Sequence, residues 1–227
     1  MTIKEAIQFN SFIEAIFTST GKNEVDILAD KYPQMLKNAN ELGKRGWVLF
    51  LLPKSIKEQL DSLSPNEFDR KMVAVYSLGS MNEDIKYIMQ SAISDYRKTV
   101  FDQAFKVFQH SLYYPCYAAI TSQIEGLMSD IGKEYIEGTG WFIKVTKMYA
   151  DMGDIDYFDL LLYQSLKSFI EEFTHNNYKF DKDEPTYLNR NWVLHGRTTK
   201  EIAPIDCIKL IRAFYVYSYF YSLIKKE

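Results

Sequence analysis

The chain has 227 residues, 47% hydrophobic and 25% charged, which suits a globular protein and excludes a disordered, collagenous or coiled-coil one. A net charge of −3 argues against a nucleic-acid binder that is basic over its whole surface. The longest clean apolar run, Trp47 to Leu52, falls far short of the ~20 residues that a membrane-spanning helix needs.

Ten glycines and six prolines leave long stretches unbroken, and 17 Tyr, 15 Phe and 3 Trp point to a core built largely from rings. From the N-terminus, MTIKEAIQFNSF carries charge where a signal peptide has an apolar stretch, so a cytoplasmic protein is expected. Short helices are expected over 3–19, 23–42, 55–63 and 66–78. Ser64-Pro65-Asn66-Glu67 announces the last of these, with Ser as N-cap, Pro in the first turn and Glu three residues on. The run Trp47 to Leu52, bounded by Gly46 and Pro53, is assigned to helix because no partner strand is visible nearby.

Beyond Asn82 the helices lengthen. Ile85, Ile88, Met89, Ala92, Ile93 and Tyr96 recur at helical spacing and predict one amphipathic helix over 82–110. Pro115 allows a new start, and a helix is expected from Tyr117 to Ile131, ending at Gly132, with Ala119, Ile120, Ile124, Leu127, Met128 and Ile131 as its stripe. Further helices are expected over 140–150 and 156–176, then a polar loop to Pro185. A final helix runs from Pro204 to Lys225-Lys226. The fold class is therefore all-α. A division into an N-terminal helical region at about 1–95 and a helical bundle at about 96–227 is expected, with one continuous fold as the alternative, since no Gly/Pro/Ser linker marks the boundary.

Cys116 and Cys207 lie in apolar helical patterns and read as buried thiols. His110, His175 and His195 show no zinc-ligand spacing, so no metal and no cofactor are expected. Walker, Rossmann, GxSxG and paired-carboxylate metal motifs are absent from the sequence. Charge is unevenly spread. Residues 186–227 hold seven Lys or Arg against three acids, a net of +4, which leaves −7 on the rest of the chain. Such a segment could face an anionic ligand, although scattered surface charge is an equal explanation.

Within this basic segment stands Tyr187-Leu-Asn-Arg190-Asn191-Trp-Val-Leu-His195-Gly196-Arg197. On a helix Asn191 and His195 share a face, while Arg190 and His195 lie ~140° apart. Arg offers a permanent, planar cation for phosphate oxygens, and His can give or take a proton near neutral pH. The same residues also have plain structural uses. His195-Gly196 can close a helix, and Arg190 can pair with Asp181 or Glu184 on the preceding loop.

The Arg-Asn-x3-His-Gly pattern resembles the signature of the HEPN (higher eukaryotes and prokaryotes nucleotide-binding) superfamily. The segment Ala118 to Leu127 is similar to an early helix of such domains. The resemblance covers about residues 100–225 and implies an all-α bundle of HEPN type, preceded here by an additional N-terminal helical region. It implies a metal-independent endoribonuclease with Arg190, Asn191 and His195 as catalytic residues, and RNA as its partner. A homodimer whose two motifs line one cleft and a role in phage defence or a toxin–antitoxin system, with an antitoxin protein, are further implications. Arg197, Tyr187 and Glu125 are the candidate substrate contacts. Two alternatives stand beside this reading. One is a non-catalytic module that binds RNA, a nucleotide or a protein through the same surface; the other is a structural helical protein.

Overall fold

The computed structural model describes residues 33–49, 56, 59, 62–76, 79, 81–132, 157–173, 183–185 and 187–225. The helices expected over 3–19 and 140–150, and five of the nine residues of the one over 55–63, lie outside these residues. Eight α-helices and no strand occur among the described residues: α1 (Pro33–Lys44), α2 (Pro65–Val75), α3 (Met81–Gln90), α4 (Asp95–Gln109), α5 (Tyr113–Gly132), α6 (Tyr157–Phe173), α7 (Arg190–Leu194) and α8 (Pro204–Ile224). The all-α assignment holds. None of these helices is long and apolar enough to cross a membrane.

Helix α2 starts as its sequence demands. The Ser64 hydroxyl accepts from the Glu67 N–H, the Glu67 carboxylate accepts from the Ser64 N–H at 2.9 Å, and Pro65 occupies the first turn. Helix α1 ends in a reverse turn closed by Gly46, whose φ of 97° suits glycine. There the Trp47 N–H reaches back to the Leu42 carbonyl at 2.9 Å and the Gly46 N–H to Gly43 at 2.8 Å, the paired bonds of a Schellman motif. Helix therefore does not extend into the apolar run as expected. Trp47 to Leu49 are irregular and buried. The Leu49 N–H donates to the Ser165 hydroxyl of α6 at 2.9 Å, a partner 116 residues away.

The single helix expected over 82–110 is two helices. Ser94 caps α4 through its hydroxyl, which accepts from the Arg97 N–H. In the break before it, the Ala92 N–H donates to the Ser222 hydroxyl of α8 at 2.9 Å. Helix α5 begins four residues earlier than expected, at Tyr113. Pro115 falls in its first turn, where a missing N–H costs nothing.

Helix α8 lies at the centre. Every residue from Cys207 to Ser218 is buried. Helix α5 packs against α8 on one side and α4 on the other, α3 also lies on α8, and α1 packs on α6. The Phe101 and Phe214 rings stack with centroids 5.1 Å apart, joining α4 to α8. Buried residues of α1, α2 and α3 belong to the same apolar cluster as those of α5, α6 and α8. Cys116 and Cys207 are buried free thiols, and the Cys207 thiol donates to the Tyr113 carbonyl at 3.3 Å.

One ion pair is sealed into this core. Arg212 Nη1 donates to both oxygens of Asp84, at 3.1 and 3.0 Å, and the Tyr76 hydroxyl donates to the same carboxylate at 2.8 Å. It ties α3 to α8 and the end of α2.

Candidate functional site

The motif occupies the short helix α7 and its two caps. Asn189, buried, is the N-cap. Its side-chain oxygen accepts from the Asn191 N–H at 3.0 Å, and its amide nitrogen donates to the Glu172 carbonyl of α6 at 2.8 Å. One side chain thus both starts the helix and fixes it to the bundle. Sequence reasoning passed over Asn189, although an Asn before a helical turn is a start signal. Trp192 and Val193 are buried beneath the helix. The Tyr114 hydroxyl of α5 donates to the Val193 carbonyl at 2.9 Å, a contact with no local sequence signal.

His195 is the C-cap of α7 and is exposed. Gly196 follows with a φ of 65°, and the chain reverses there. Its N–H donates to the Val193 carbonyl at 3.0 Å, and the Arg197 N–H donates to Trp192 at 2.8 Å. This is a second Schellman motif, so His195-Gly196 does close a helix. The same turn leaves the imidazole facing solvent, where a ligand can reach it.

Arg190 turns the other way, toward α5. Its guanidinium pairs with the Glu125 carboxylate, and the two side chains are 17% and 32% exposed. Burial pulls the Arg190 pKa below its ordinary value, and the guanidinium still stays charged at neutral pH. Arg190 therefore meets Glu125, one of the candidate substrate contacts, and not Glu184. Glu184 is engaged elsewhere. It accepts from the Thr198 hydroxyl, and from the Thr199 N–H at 3.0 Å and hydroxyl at 2.7 Å. Burial alone would raise the Glu184 pKa, but these hydrogen bonds outweigh it and lower the value. Asp181 lies outside the described residues.

Of the remaining candidates, Asn191 is half-buried on α7 and accepts the His195 N–H on its carbonyl at 3.1 Å. Arg197 is exposed just past the turn. Tyr187 is directed away from Arg190, since its hydroxyl donates to Glu41 of α1 at 2.8 Å. The Tyr187 pKa is raised, by burial first and then by the Glu41 carboxylate. His110 caps α4, with its Nδ1 2.8 Å from the Lys106 carbonyl, while His175 lies outside the described residues. Among the described residues no three His, Cys, Asp or Glu side chains converge as a metal-ligand set.

In chemical terms, α7 offers an accessible imidazole at one end and a half-buried, carboxylate-paired guanidinium at the other. No family model matches the chain, and no match is found among curated proteins or solved structures.

Proposed function

We propose that the chain is a metal-independent endoribonuclease of the HEPN type, with Arg190, Asn191 and His195 as its working residues. One observation carries the reading. The Arg-Asn-x3-His-Gly motif sits on one capped helix directly before the long central helix of an all-α fold, with its imidazole exposed. In the proposed reaction the ribose 2′-oxygen attacks the adjacent phosphorus and loses its proton to one imidazole. The departing 5′-oxygen gains a proton from the other, supplied by the second protomer of a homodimer. Arg190 balances the charge that builds on the phosphorane oxygens. Asn191 hydrogen-bonds the phosphate or orients the imidazole, Glu125 positions Arg190, and Arg197 adds a phosphate contact. The products are a 2′,3′-cyclic phosphate and a 5′-hydroxyl. Phage defence, or growth arrest relieved by an antitoxin protein, is the biological role this chemistry suits.

A second reading has an observation of its own. A guanidinium already paired with Glu125 is a weaker phosphate ligand than a bare one, and the body of the chain is acidic. Both favour a non-catalytic module that binds RNA or a protein across α7.

Incubation of a mixed RNA pool with the full chain in EDTA, followed by end-group analysis, separates the two. Cleavage that leaves cyclic phosphate ends, and falls ~100-fold or more in His195→Ala and Arg190→Ala, is the expected result. A folded wild type that leaves the RNA intact would move the assignment to the binding module.

A further inference from the structure

Three of the five large apolar side chains that stand exposed among the described residues fall where the start of α5 meets the end of α7. They are Leu112, Tyr114 and Leu194, at 52%, 47% and 40% exposure. Single surface hydrophobics need no explanation, whereas a group of them marks a contact surface.

Of the three, Tyr114 is fixed in place. Its hydroxyl donates to the Val193 carbonyl at 2.9 Å, and the Gly196 N–H donates to that same oxygen at 3.0 Å. The ring thus hangs on the turn that presents His195, which follows Val193 by two residues, or ~7 Å of chain at most. With the hydroxyl engaged, what Tyr114 leaves to solvent is chiefly the ring itself. On its other flank, α4 closes with Ser111 at a φ of 61°, a conformation that glycine usually supplies, and the Leu112 N–H reaches back to the Val107 carbonyl at 2.9 Å. An aromatic face held in this way loses little entropy when something lies on it.

Charge narrows what that can be. The protein carries 30 acids, yet none falls in 103–124, which runs from α4 into α5, or in 185–200, which contains α7. Acids that reach these stretches from outside are engaged there: Asp102 with Lys106, Glu41 with Tyr187, Glu125 with Arg190, and Glu184 with Thr198 and Thr199. Arg197 and the imidazoles of His110 and His195 are exposed. A protein partner docking on aliphatic side chains would gain nothing from the missing acids. A flat ring joined to an anion gains from both features, and a nucleobase with its phosphate is such a group. Tyr187, the aromatic among the candidates from sequence, is turned to Glu41 instead.

We infer that Tyr114 is a base-stacking residue, which takes the face of an unpaired base of single-stranded RNA whose phosphate lies at His195 and Arg197. Such stacking presumes RNA as the ligand of α7, whether cleaved or only bound there. It asks for a π-face and no particular hydrogen-bonding edge, so it holds a base without strongly selecting one.

The probe is a short, unstructured, fluorescein-labelled 2′-O-methyl RNA, titrated with the full chain in EDTA and followed by anisotropy. Capping the 2′-oxygen removes the nucleophile, so binding is read without cleavage. Wild type is expected to bind saturably, Tyr114→Ala about tenfold more weakly, and Tyr114→Phe, which keeps the ring, within about threefold of wild type. Tyr114 is half-exposed and the Val193 carbonyl keeps its Gly196 N–H, so both variants should keep the fold, as circular dichroism will check. A strand of abasic units, offering phosphates without bases, should be bound alike by wild type and Tyr114→Ala. A Tyr114→Ala loss that persists on the abasic strand, or a Tyr114→Phe loss as large, overturns the inference. Binding that Arg197→Ala or His195→Ala weakens and Tyr114→Ala does not overturns it alone, leaving RNA at α7 and the apolar group to a protein partner. No saturable binding, or binding indifferent to all three substitutions, overturns RNA at α7 as well.

Discussion

Removing Asp84 should be among the most damaging single changes in this protein. The Arg212 side chain is 4% exposed and that of Asp84 12%, so neither charge can turn to water. Arg212 Nη1 spans both carboxylate oxygens, and its guanidinium lies 5.0 Å from the Tyr215 ring, which cannot replace a counterion. Asp84→Ala leaves that cation buried and orphans the Tyr76 hydroxyl that the carboxylate also accepts. Breaking a buried pair from one side costs about 3–5 kcal/mol. At ~2–4 °C per kcal/mol for a chain of this size, Tm should fall by about 6–20 °C. Arg212→Met should cost a similar amount, since it strands the carboxylate. The double variant Asp84→Ala/Arg212→Met removes both charges, and its loss should fall short of the summed single losses by about 2 kcal/mol. Urea unfolding followed by circular dichroism at fixed pH gives all three values. The contrast should persist at high salt, because screening barely reaches a buried pair. Single losses under about 1 kcal/mol, the range of surface pairs, would refute the argument, as would strict additivity.

Two further outcomes rest on local geometry. At Gly43 a Cβ would stand 2.3 Å from the Ser165 carbonyl oxygen and 2.8 Å from the Ser168 Cβ, so Gly43→Ala must push α1 off α6. A loss of about 1–3 kcal/mol by thermal melting is expected, and wild-type stability would show that the helices do not cross so closely. The Glu67 pKa is lowered by its hydrogen bonds with Ser64, so the folded state holds the charged form more strongly than the unfolded chain does. The stability this contributes is full above the unfolded pKa and is lost as pH falls through the folded one. Glu67→Gln should therefore flatten the acid limb of a plot of urea midpoint against pH. An unchanged slope would mean that the cap does not discriminate the charged carboxylate.

What could be read from the sequence was local. The Ser64–Glu67 start of α2 needs only residues three apart, and it stands as expected. The split between α3 and α4 was hidden because the apolar spacing from Ile85 to Tyr96 runs straight through it. What breaks the helix is the Ser94 cap, helped by Ser222 from the far end of the chain. Trp47 to Leu49 were misassigned for the same reason, since the Ser165 hydroxyl that takes the Leu49 N–H is remote in sequence. At the motif, the closing turn at Gly196 was legible, but the partner of Arg190 was not. That Arg190 meets Glu125 and not Glu184 depended on how α7 is pinned to α6 and α5 by Asn189 and Tyr114.

The burial of α8 on all sides has a bearing on how the chain is made. Ribosomes deliver residues in order at ~5–20 per second, so the last residue of α6 is made about 3–10 seconds before α8 is complete. Yet α8 is what α3 and α5 pack upon, and its buried stretch from Cys207 to Ser218 fills the middle of the shared core. Until it arrives, the facing surfaces of the earlier helices have nothing to cover them and are open to chaperones or to one another. A nascent chain halted in the loop before Pro204 can bring α1 onto α6 and α4 onto α5, but it lacks the helix that α3 and α5 pack upon.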